Sequence, residues 1–374
     1  RNSMEQQWKE YELGELLSYV QPTPYIVEST DYNDKYTTPV LTAGKTFILG
    51  YTNERQGIYT ALPVIIFDDF TTASRYVNFE FKVKSSAMKI LTPNTELVLP
   101  KFIYYRMQVI QFDHSTHKRY WIQQYSKIKV AIPPIPVQEQ IVSRIEELFS
   151  ELDNGVKTLQ KTKQQLAVYR QAVLKEAFSQ ISQYVSLGKI TDSRLGKMLD
   201  KEKNIGIPRK YLRNINVRWF SFDLSDLLEM RIEDTEVDKY SVIKGDLVIC
   251  EGGEPGRCAV WTAEEPMFYQ KALHRVRFTD GSNPMFYMYY LWFASQTGKL
   301  NEYFTGMGIK HLTGQSLVKV PVPTVNRINQ DKIVLDIESR LSMCDSIEKT
   351  VDTALQQAEA MRQSILKQPF EGRL

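Results

Sequence analysis

The chain has 374 residues, of which 43% are apolar and 24% charged, and its formal net charge is +3. This is the composition of an ordinary globular protein with room for two or three domains, and the small charge does not by itself indicate a nucleic-acid partner. No run of about 18 apolar residues occurs, which excludes a membrane-spanning helix. Three scattered cysteines, odd in number, favour a reducing, cytoplasmic setting.

Residues 8–133 form a first globular block in which short β-type runs dominate. Val64–Phe67 is apolar throughout, Val77–Val83 alternates with the period of a half-buried strand, and Lys127–Ile132 closes the block. Between Leu99 and Ile110, apolar residues recur at helical spacing. The block is therefore predicted to be mixed α and β.

A long helix is predicted over residues 139–180, inside a spacer segment that spans 134–185. Apolar residues from Ile141 to Val173 recur every three or four positions or at multiples of seven, and the prolines before them suit the start of a helix. About 40 residues at ~1.5 Å each give a rod of ~60 Å. Gly155 interrupts the pattern and is a candidate for a bend.

The second globular block, residues 186–320, opens on a basic stretch. Nine basic and three acidic residues lie between Lys189 and Arg218. A solvated loop and a face that neutralises phosphates both account for this run, and the sequence leaves the choice open. Further along the block the sequence predicts β-type runs, a tight turn and an aromatic helix, in the following segments: Phe222–Leu228, Tyr240–Cys250, Cys258–Trp261, Gly252–Gly256 (the turn) and Met285–Ala294 (the helix).

The final segment, residues 321–374, repeats the first long helix. Residues 142–178 and 334–370 align without a gap at a constant offset of 192. A Pro-x-Pro precedes each copy at an offset of 187, which predicts five extra residues in the second copy. The fold class is therefore α+β: two mixed α/β blocks, each followed by a long helix, with the apolar seams of the two helices packed against each other.

Several kinds of catalytic site are missing from the pattern. The chain has no Walker A motif, no dinucleotide-binding glycine motif and no zinc-ligand spacing among its cysteines and histidines. Asp68-Asp69 follows a strand and is interpreted as a turn rather than a catalytic pair, because no Lys or Glu partner lies nearby. His114, His117 and His311 fall in two matching polar, basic loops. A contact with a polyanion and an ordinary exposed surface position explain these histidines equally well.

At the start and end of the long helices the chain resembles the specificity subunit of type I restriction–modification systems. The residues that carry the resemblance are Ile132-Pro133-Pro134-Ile135-Pro136-Val137-Gln138-Glu139-Gln140, the helix ends Val173–Phe178 and Ile365–Phe370, and the strand pair Lys244–Ile249 with Gly256–Val260. Two departures stand out. The segment Pro323–Arg327 lacks the Glu-Gln signature, and the first block lacks a clear Gly-Asp-Leu strand.

The resemblance implies two target-recognition domains that each read half of a bipartite, asymmetric site in double-stranded DNA. An antiparallel coiled coil with a pseudo-two-fold axis would hold them about one helical turn, ~34 Å, apart. The chain itself would be non-catalytic and would carry no metal or cofactor. S-adenosylmethionine and adenine methylation would belong to modification subunits, expected in two copies, whereas ATP, Mg²⁺ and nuclease chemistry would belong to restriction subunits.

Basic residues in or beside predicted loops are the candidate DNA contacts, because phosphates are neutralised by Lys and Arg. In the first block they are Lys45, Arg55, Arg75, His117, Lys118 and Arg119. In the second block they are Lys197, Arg209, Lys210, Arg213, Arg257, Lys310 and His311.

Three other interpretations remain open. The paired helices are also consistent with a scaffold or oligomerisation protein that never meets DNA. A stand-alone DNA-modifying enzyme is a second alternative, although no Asn/Asp-Pro-Pro-Tyr/Phe motif is present. Thirdly, the helices could pair between two chains instead of within one.

Overall fold

The computed structural model describes residues 8–115, 118–200 and 202–371. Its contacts divide the chain into two compact units, Arg1–Gln160 with Asp352–Leu374, and Lys161–Val351. Each unit therefore contains one globular block together with parts of both long helices. The boundaries expected from sequence, at 133/134, 185/186 and 320/321, separate each globular block from the helix that follows it. The contacts instead group each block with segments of both long helices.

The first block is built from short strands and one helix of nine residues. Its strands are β1 Lys9–Glu12, β2 Leu17–Val20, β3 Thr38–Leu41, β4 Ile48–Thr52, β5 Val64–Asp68, β6 Ser74–Val77, β7 Lys82–Val83, β8 Met88–Pro93 and β9 Lys129–Ile132. Its helical segments are Leu13–Leu16, the 3-10 turns Thr23–Tyr25 and Tyr125–Lys127, and the helix Pro100–Gln108.

Two sheets and a closing strand pair organise this block. One sheet has the order β2-β8-β5-β6, the other has the order β4-β3-β7 with β3 and β7 parallel, and β1 pairs with β9 to join the ends of the block. The central strand β5 is buried on both faces. Ile65 and Phe67 face a core shared with the helix Pro100–Gln108, whereas Val64 and Ile66 face the core shared with the second sheet.

The described residues of the second block and its immediate flanks form ten strands and several short helical segments. Its strands are β10 Tyr184–Ser186, β11 Thr191–Leu195, β12 Ile207–Leu212, β13 Leu228–Ile232, β14 Ser241–Val242, β15 Leu247–Cys250, β16 Cys258–Val260, β17 Met267–Tyr269, β18 Leu273–Phe278 and β19 Pro321–Pro323. Its α-helices are Val237–Tyr240, Pro284–Gln296 and Gly314–Leu317, and its 3-10 turns are Leu187–Lys189, Asn214–Asn216, Asp234–Glu236 and Asn301–Tyr303.

The two blocks share one topology. The sheet β11-β18-β15-β16 repeats β2-β8-β5-β6, and β13-β12-β17, with β12 and β17 parallel, repeats β4-β3-β7. Strands β10 and β19 close the second block as β1 and β9 close the first. In β15, Leu247 and Ile249 face the helix side while Val248 and Cys250 face the second sheet. The predicted repeat of block and helix is therefore confirmed, although the sequences of the blocks have diverged.

The long helices span Ile135–Ser179 and Arg327–Phe370, with 45 and 44 residues. They begin 192 positions apart, so the offset of the sequence repeat continues to the first turn of each helix. The five extra residues predicted from the two Pro-x-Pro sequences are therefore wrong. Pro321–Pro323 forms β19, which corresponds at the same offset to β9 rather than to the start of the first long helix. The first long helix runs through Gly155 without interruption.

Within each unit the two long helices run antiparallel and are joined by ion pairs. In the second unit Arg170 pairs with Asp345, and Arg340 donates to Glu176 at 2.9 Å. In the first unit Arg362 pairs with Asp153. At the offset of 192, Arg362 is the counterpart of Arg170 and Asp345 that of Asp153. The same two positions of the repeat, one taken from each copy, therefore form both contacts.

A buried glutamine at the start of each long helix holds the helix of its block. The Gln138 Oε1 atom accepts the Leu99 N–H at 2.8 Å, and its Nε2 donates to the Pro133 carbonyl at 2.8 Å. Gln330, 192 positions later, accepts the Asn283 N–H at 2.6 Å and donates to the Val325 carbonyl at 3.0 Å. Leu99 and Asn283 each precede the helix of their block, so the glutamines satisfy equivalent orphan donors. The second copy therefore keeps the glutamine even though the residues after it differ.

Some local predictions were wrong. The alternating run Val77–Val83 is not one strand, because the chain leaves the sheet after Val77 and rejoins the other sheet at β7. The run Phe222–Leu228 is largely a connection that leads into β13.

The three cysteines are free and buried. No helix within the described ranges is both long and apolar enough to cross a membrane.

Candidate nucleic-acid interface

Three connections of the second block lie together beyond the end of strand β15. We call residues 213–222, 251–257 and 305–311 the second loop cluster. Asn214 joins the first two connections, since its Nδ2 donates to the Gly252 carbonyl at 3.0 Å. The indole of Trp219 donates to Glu254 at 2.7 Å. The third connection reaches the second where the Leu312 N–H donates to the Glu251 carbonyl at 2.7 Å.

The third connection is a closed hairpin loop. Thr305 and His311 exchange two backbone hydrogen bonds, of 2.8 and 2.9 Å. The ring of His311 lies against Gly252, where a Cβ atom would come within 2.9 Å of Nδ1. A glycine is thus needed at that position unless the imidazole moves. Beneath the loop, His274 is buried and its Nε2 contacts the Leu312 carbonyl at 2.7 Å. Burial lowers the pKa of His274, so the neutral ring is favoured there.

Four predicted contacts of the second block belong to this cluster. Lys310 and His311 are exposed on the hairpin loop. Arg213 is largely engaged by Asp226, at 2.7 Å. Arg257 donates to Glu254 at 2.9 Å and to the Asn214 carbonyl at 3.0 Å, so it braces the cluster from inside. Lys310 and His311 are therefore the members best exposed to a ligand.

The first block has the corresponding connections at residues 42–47 and 69–73 and, in the described part of the third, at residues 113–115 and 118–119, which we call the first loop cluster. Arg75 donates to the Gly44 carbonyl at 3.1 Å, as Arg257 does to Asn214. The Thr72 hydroxyl lies 2.8 Å from His114 Nε2, and the Tyr120 N–H donates to the Asp69 carbonyl at 2.9 Å. The last bond is the counterpart of the one from Leu312.

Predicted contacts of the first block take different positions in this cluster. Lys45 and Lys118 are exposed. Arg119 is exposed but donates to the Ser86 carbonyl at 3.2 Å. Arg75 is the second residue of strand β6, beside the connection that leads into it. His117 lies outside the described residues.

The remaining predicted contacts lie on or beside the second sheets. Arg55 is exposed in the connection after β4. Lys210 is exposed on β12, whereas Arg209 on the same strand pairs with Asp234 at 3.2 Å. Lys197 is buried and pairs with Glu236, so it is unsuited to contact a surface ligand.

The basic stretch of residues 189–218 is divided between strands and connections. Parts of it form β11, β12 and the 3-10 turns beside them, while the connection between the two strands carries the exposed Lys203. Several of its cations pair with carboxylates that come later in the chain, between residues 223 and 236, and these pairs are Lys197–Glu236, Arg209–Asp234, Arg213–Asp226 and Arg218–Asp223. Counting acids only within the stretch missed these partners.

Asp68 and Asp69 form the turn predicted for them. The Asp68 carboxylate accepts the N–H groups of Phe70 and Thr71 at 2.9 and 3.1 Å. Asp69 is buried, accepts the Trp121 N–H at 2.8 Å and lies 3.5 Å from Lys89 Nζ. Its partner was missed because the lysine comes from a different strand. Across the described residues, no group of three or more His, Cys, Asp or Glu side chains is arranged to hold a metal.

The chain is similar to known proteins of one kind. Residues 5–166 match the family model described as "Type I restriction modification DNA specificity domain". The EcoR124I/EcoR124II specificity subunit of Escherichia coli is 44% identical over 190 residues, 48% of this chain and 47% of that protein. The EcoKI specificity subunit of Escherichia coli K12 is 25% identical over 276 residues, 67% of this chain and 58% of that protein. The chain thus matches about half the length of these relatives.

Solved structures agree with the observed fold. A structure described by its role in assembly and conformational transition of the type I R-M system superposes with a TM-score of 0.73 at 14% identity, over 100% of both chains. The HsdS subunit from Thermoanaerobacter tengcongensis gives 0.63 at 16% identity, over 98% of this chain and 97% of that one. These similarities support the fold, and the sequence matches confirm the resemblance stated from the motifs. By these matches the chain is similar to type I restriction–modification specificity subunits, with the family model covering residues 5–166.

Proposed function

We propose that this protein is the DNA-recognition subunit of a type I restriction–modification complex and that each block reads one half of a bipartite, asymmetric site. The observation that carries the proposal is the duplicated loop cluster, formed by corresponding connections of two blocks with the same topology. Loops on a rigid scaffold can vary in sequence without altering the fold, which suits elements that read different half-sites. Exposed cations in both clusters are suited to contact phosphates.

The two long helices would act as the spacer between the half-sites. A helix of 45 residues extends ~67 Å at ~1.5 Å per residue, longer than one turn of B-DNA at ~34 Å. Ion pairs at corresponding positions, from Arg170 and Arg362, support a fixed antiparallel register. A fixed register would give a gap of constant length between the two half-sites.

Catalysis would be supplied by partner subunits. We propose that modification subunits, two copies in all, bring S-adenosylmethionine, and that restriction subunits bring ATP, Mg²⁺ and nuclease activity. This chain would work without a cofactor of its own, in the cytoplasm. Its contribution would be to select the DNA and to position the partners on it.

Methylation mapping tests the proposal. The chain would be co-expressed with the modification subunit from the same source, and mixed-sequence DNA would be treated with the complex and S-adenosylmethionine. Sequencing of methylated adenines should show a split motif with an unspecified gap of constant length. The matched control omits this chain and should show no such motif. A stable complex with an active modification subunit that methylates no split motif would contradict the proposal and favour a scaffold role.

A further inference from the structure

The hairpin loop of the second cluster carries two apolar side chains that point into solvent. Met307 is fully exposed and Ile309 is 75% exposed, whereas Leu312 at the base of the loop is buried in the core. Single exposed apolar residues are common, but two at the tip of one closed loop form a small apolar patch that is typical of a binding surface. We infer that this tip enters a DNA groove and that Met307 is inserted against the bases of one half-site.

The backbone holds the tip in a narrow, defined shape. The paired backbone bonds between Thr305 and His311 close the loop. Gly306 has a φ of +102°, and a Cβ there would lie 2.3 Å from the Ile309 carbonyl oxygen. With Gly308 on the other side, Met307 has no neighbouring side chain to widen the loop. A thin protrusion of this kind fits a groove of ~6 to ~12 Å.

Charge favours DNA over a protein as the occupant. No Asp or Glu occurs between Glu302 and Asp331, while Lys310 and His311 adjoin the tip. Glu254, on the neighbouring connection, is already engaged by Trp219 and Arg257. Lys310 therefore adjoins the apolar tip on its C-terminal side, where its ammonium group would contact a phosphate beside the groove.

The chemistry of the tip suits insertion at a base step. Methionine is unbranched and polarisable, so it adapts to an irregular apolar surface. Apolar side chains used in this way partly unstack a base step and kink the duplex. Met307 would then contribute specificity through bases it touches or deforms, whereas Lys310 would contribute binding that depends little on sequence.

The test compares Met307→Ala with Met198→Ala, which removes a methionine 57% exposed in the same block but outside the loop cluster. Both variants would be assembled with the modification subunit. Met307→Ala should lower the ratio of cognate to unrelated DNA binding by about 10- to 100-fold, with an unchanged salt dependence. Lys310→Ala should reduce the salt slope by about 1. Met198→Ala should match the wild type.

A spectroscopic readout tests insertion itself. The probe is 2-aminopurine placed at successive positions in the mapped half-sites, because its fluorescence rises when it unstacks. Besides the adenines that are extruded for methylation, binding of the wild-type complex should raise the signal at one further step in one half-site, and Met307→Ala should abolish only that rise. An unchanged signal and binding ratio with Met307→Ala would overturn the inference. Loss of subunit assembly with unchanged DNA binding would equally overturn it, in favour of a protein partner.

This inference rests on the proposed function, and the two fail in different ways. If the wild-type complex methylates no split motif, the proposed function fails first. If the wild-type complex recognises a split motif and Met307→Ala recognises the same bases equally well, only the role of Met307 fails.

Discussion

The two blocks have the same strand order but hold the base of the third loop by different chemistry. In the main sheet of the first block, Phe67 on β5 is the register partner of Lys89 on β8. In the second block, Ile249 on β15 is the register partner of His274 on β18. Lys89 forms a buried ion pair with Asp69, whereas neutral His274 contacts the Leu312 carbonyl. Topology therefore follows the continuous apolar runs of the central strands, and the buried polar groups beside the loops can change without changing the fold.

The loops themselves differ more than the sheets. Between β3 and β4 the connection spans residues 42–47, whereas between β12 and β13 it spans residues 213–227. The longer connection supplies Asn214 and Trp219, which tie it to the turn after β15. Different loops on equivalent sheets are what the proposed reading of two unlike half-sites requires.

Asp69→Ala should produce the largest change and should affect only the first block. It would leave Lys89 buried without its counter-charge and remove the acceptor of the Trp121 N–H, at a cost of about 3–5 kcal/mol in the free energy of unfolding. The counterpart Glu251→Ala removes a partly exposed carboxylate and should cost less than about 1 kcal/mol. Urea unfolding of both variants tests the contrast, and equal losses would contradict it.

Replacing either buried glutamine should have a similar, slightly smaller effect. Gln138→Leu strands the Leu99 N–H, and Gln330→Leu strands the Asn283 N–H, each at about 2–4 kcal/mol. The exposed neighbour Gln140→Leu serves as the control and should leave the free energy of unfolding nearly unchanged. If only one glutamine proved important, the two helix starts would not be equivalent despite their geometry.

The helix ion pairs should contribute modestly, with the larger share from Arg170, which also pairs with Glu348 at 2.8 Å. Arg170→Ala and Arg362→Ala should each cost about 0.5–1.5 kcal/mol, because the pairs are only partly shielded from water. Double-mutant cycles with Asp345→Ala and Asp153→Ala measure the coupling in each unit. Couplings should shrink as salt is raised. A coupling near zero in both cycles would remove these pairs from the account of helix register.

The smallest expected difference is a sensitivity of the second block to acid. Because the pKa of His274 is lowered by burial, the folded state binds fewer protons than the unfolded state below about pH 6.5. The free energy of unfolding therefore keeps its full contribution from neutral His274 above that pH. It declines as the pH falls from the pKa of His274 in the unfolded chain to its lower pKa in the folded protein. His274→Gln should flatten this decline. An identical pH profile for variant and wild type would show that His274 is not its source.

The long helices were predictable because their information is local and repeated. The 192-residue offset and the apolar spacing indicate both long helices, and the aromatic run Met285–Ala294 indicates the helix Pro284–Gln296. The Pro-x-Pro match failed because proline suits both a strand edge, as at Pro321, and a helix start, as at Pro136. Whether such a proline segment pairs with a neighbouring strand or continues into a helix is decided by its tertiary contacts, which the local sequence does not show.

The candidate site was only partly predictable for a related reason. Lys310, His311, Lys45 and Lys118 are exposed on loops as expected, and their role stays a prediction. Lys197 is instead engaged by Glu236, whose position across the block no local pattern reveals. Met307 was overlooked because an apolar residue carries no charge signal, and only the folded loop exposes it.

The most direct test of the central claim is to alter each loop cluster separately and map the methylated sites. One variant would carry Lys45→Glu and Lys118→Glu, and the other Lys310→Glu and His311→Glu, each assembled with wild-type modification subunits. The first variant should weaken or relax recognition of one half of the split motif, and the second variant should affect only the other half, with the gap unchanged. Changes that fall on the same half for both variants, or a changed gap with intact halves, would contradict two independent reading blocks.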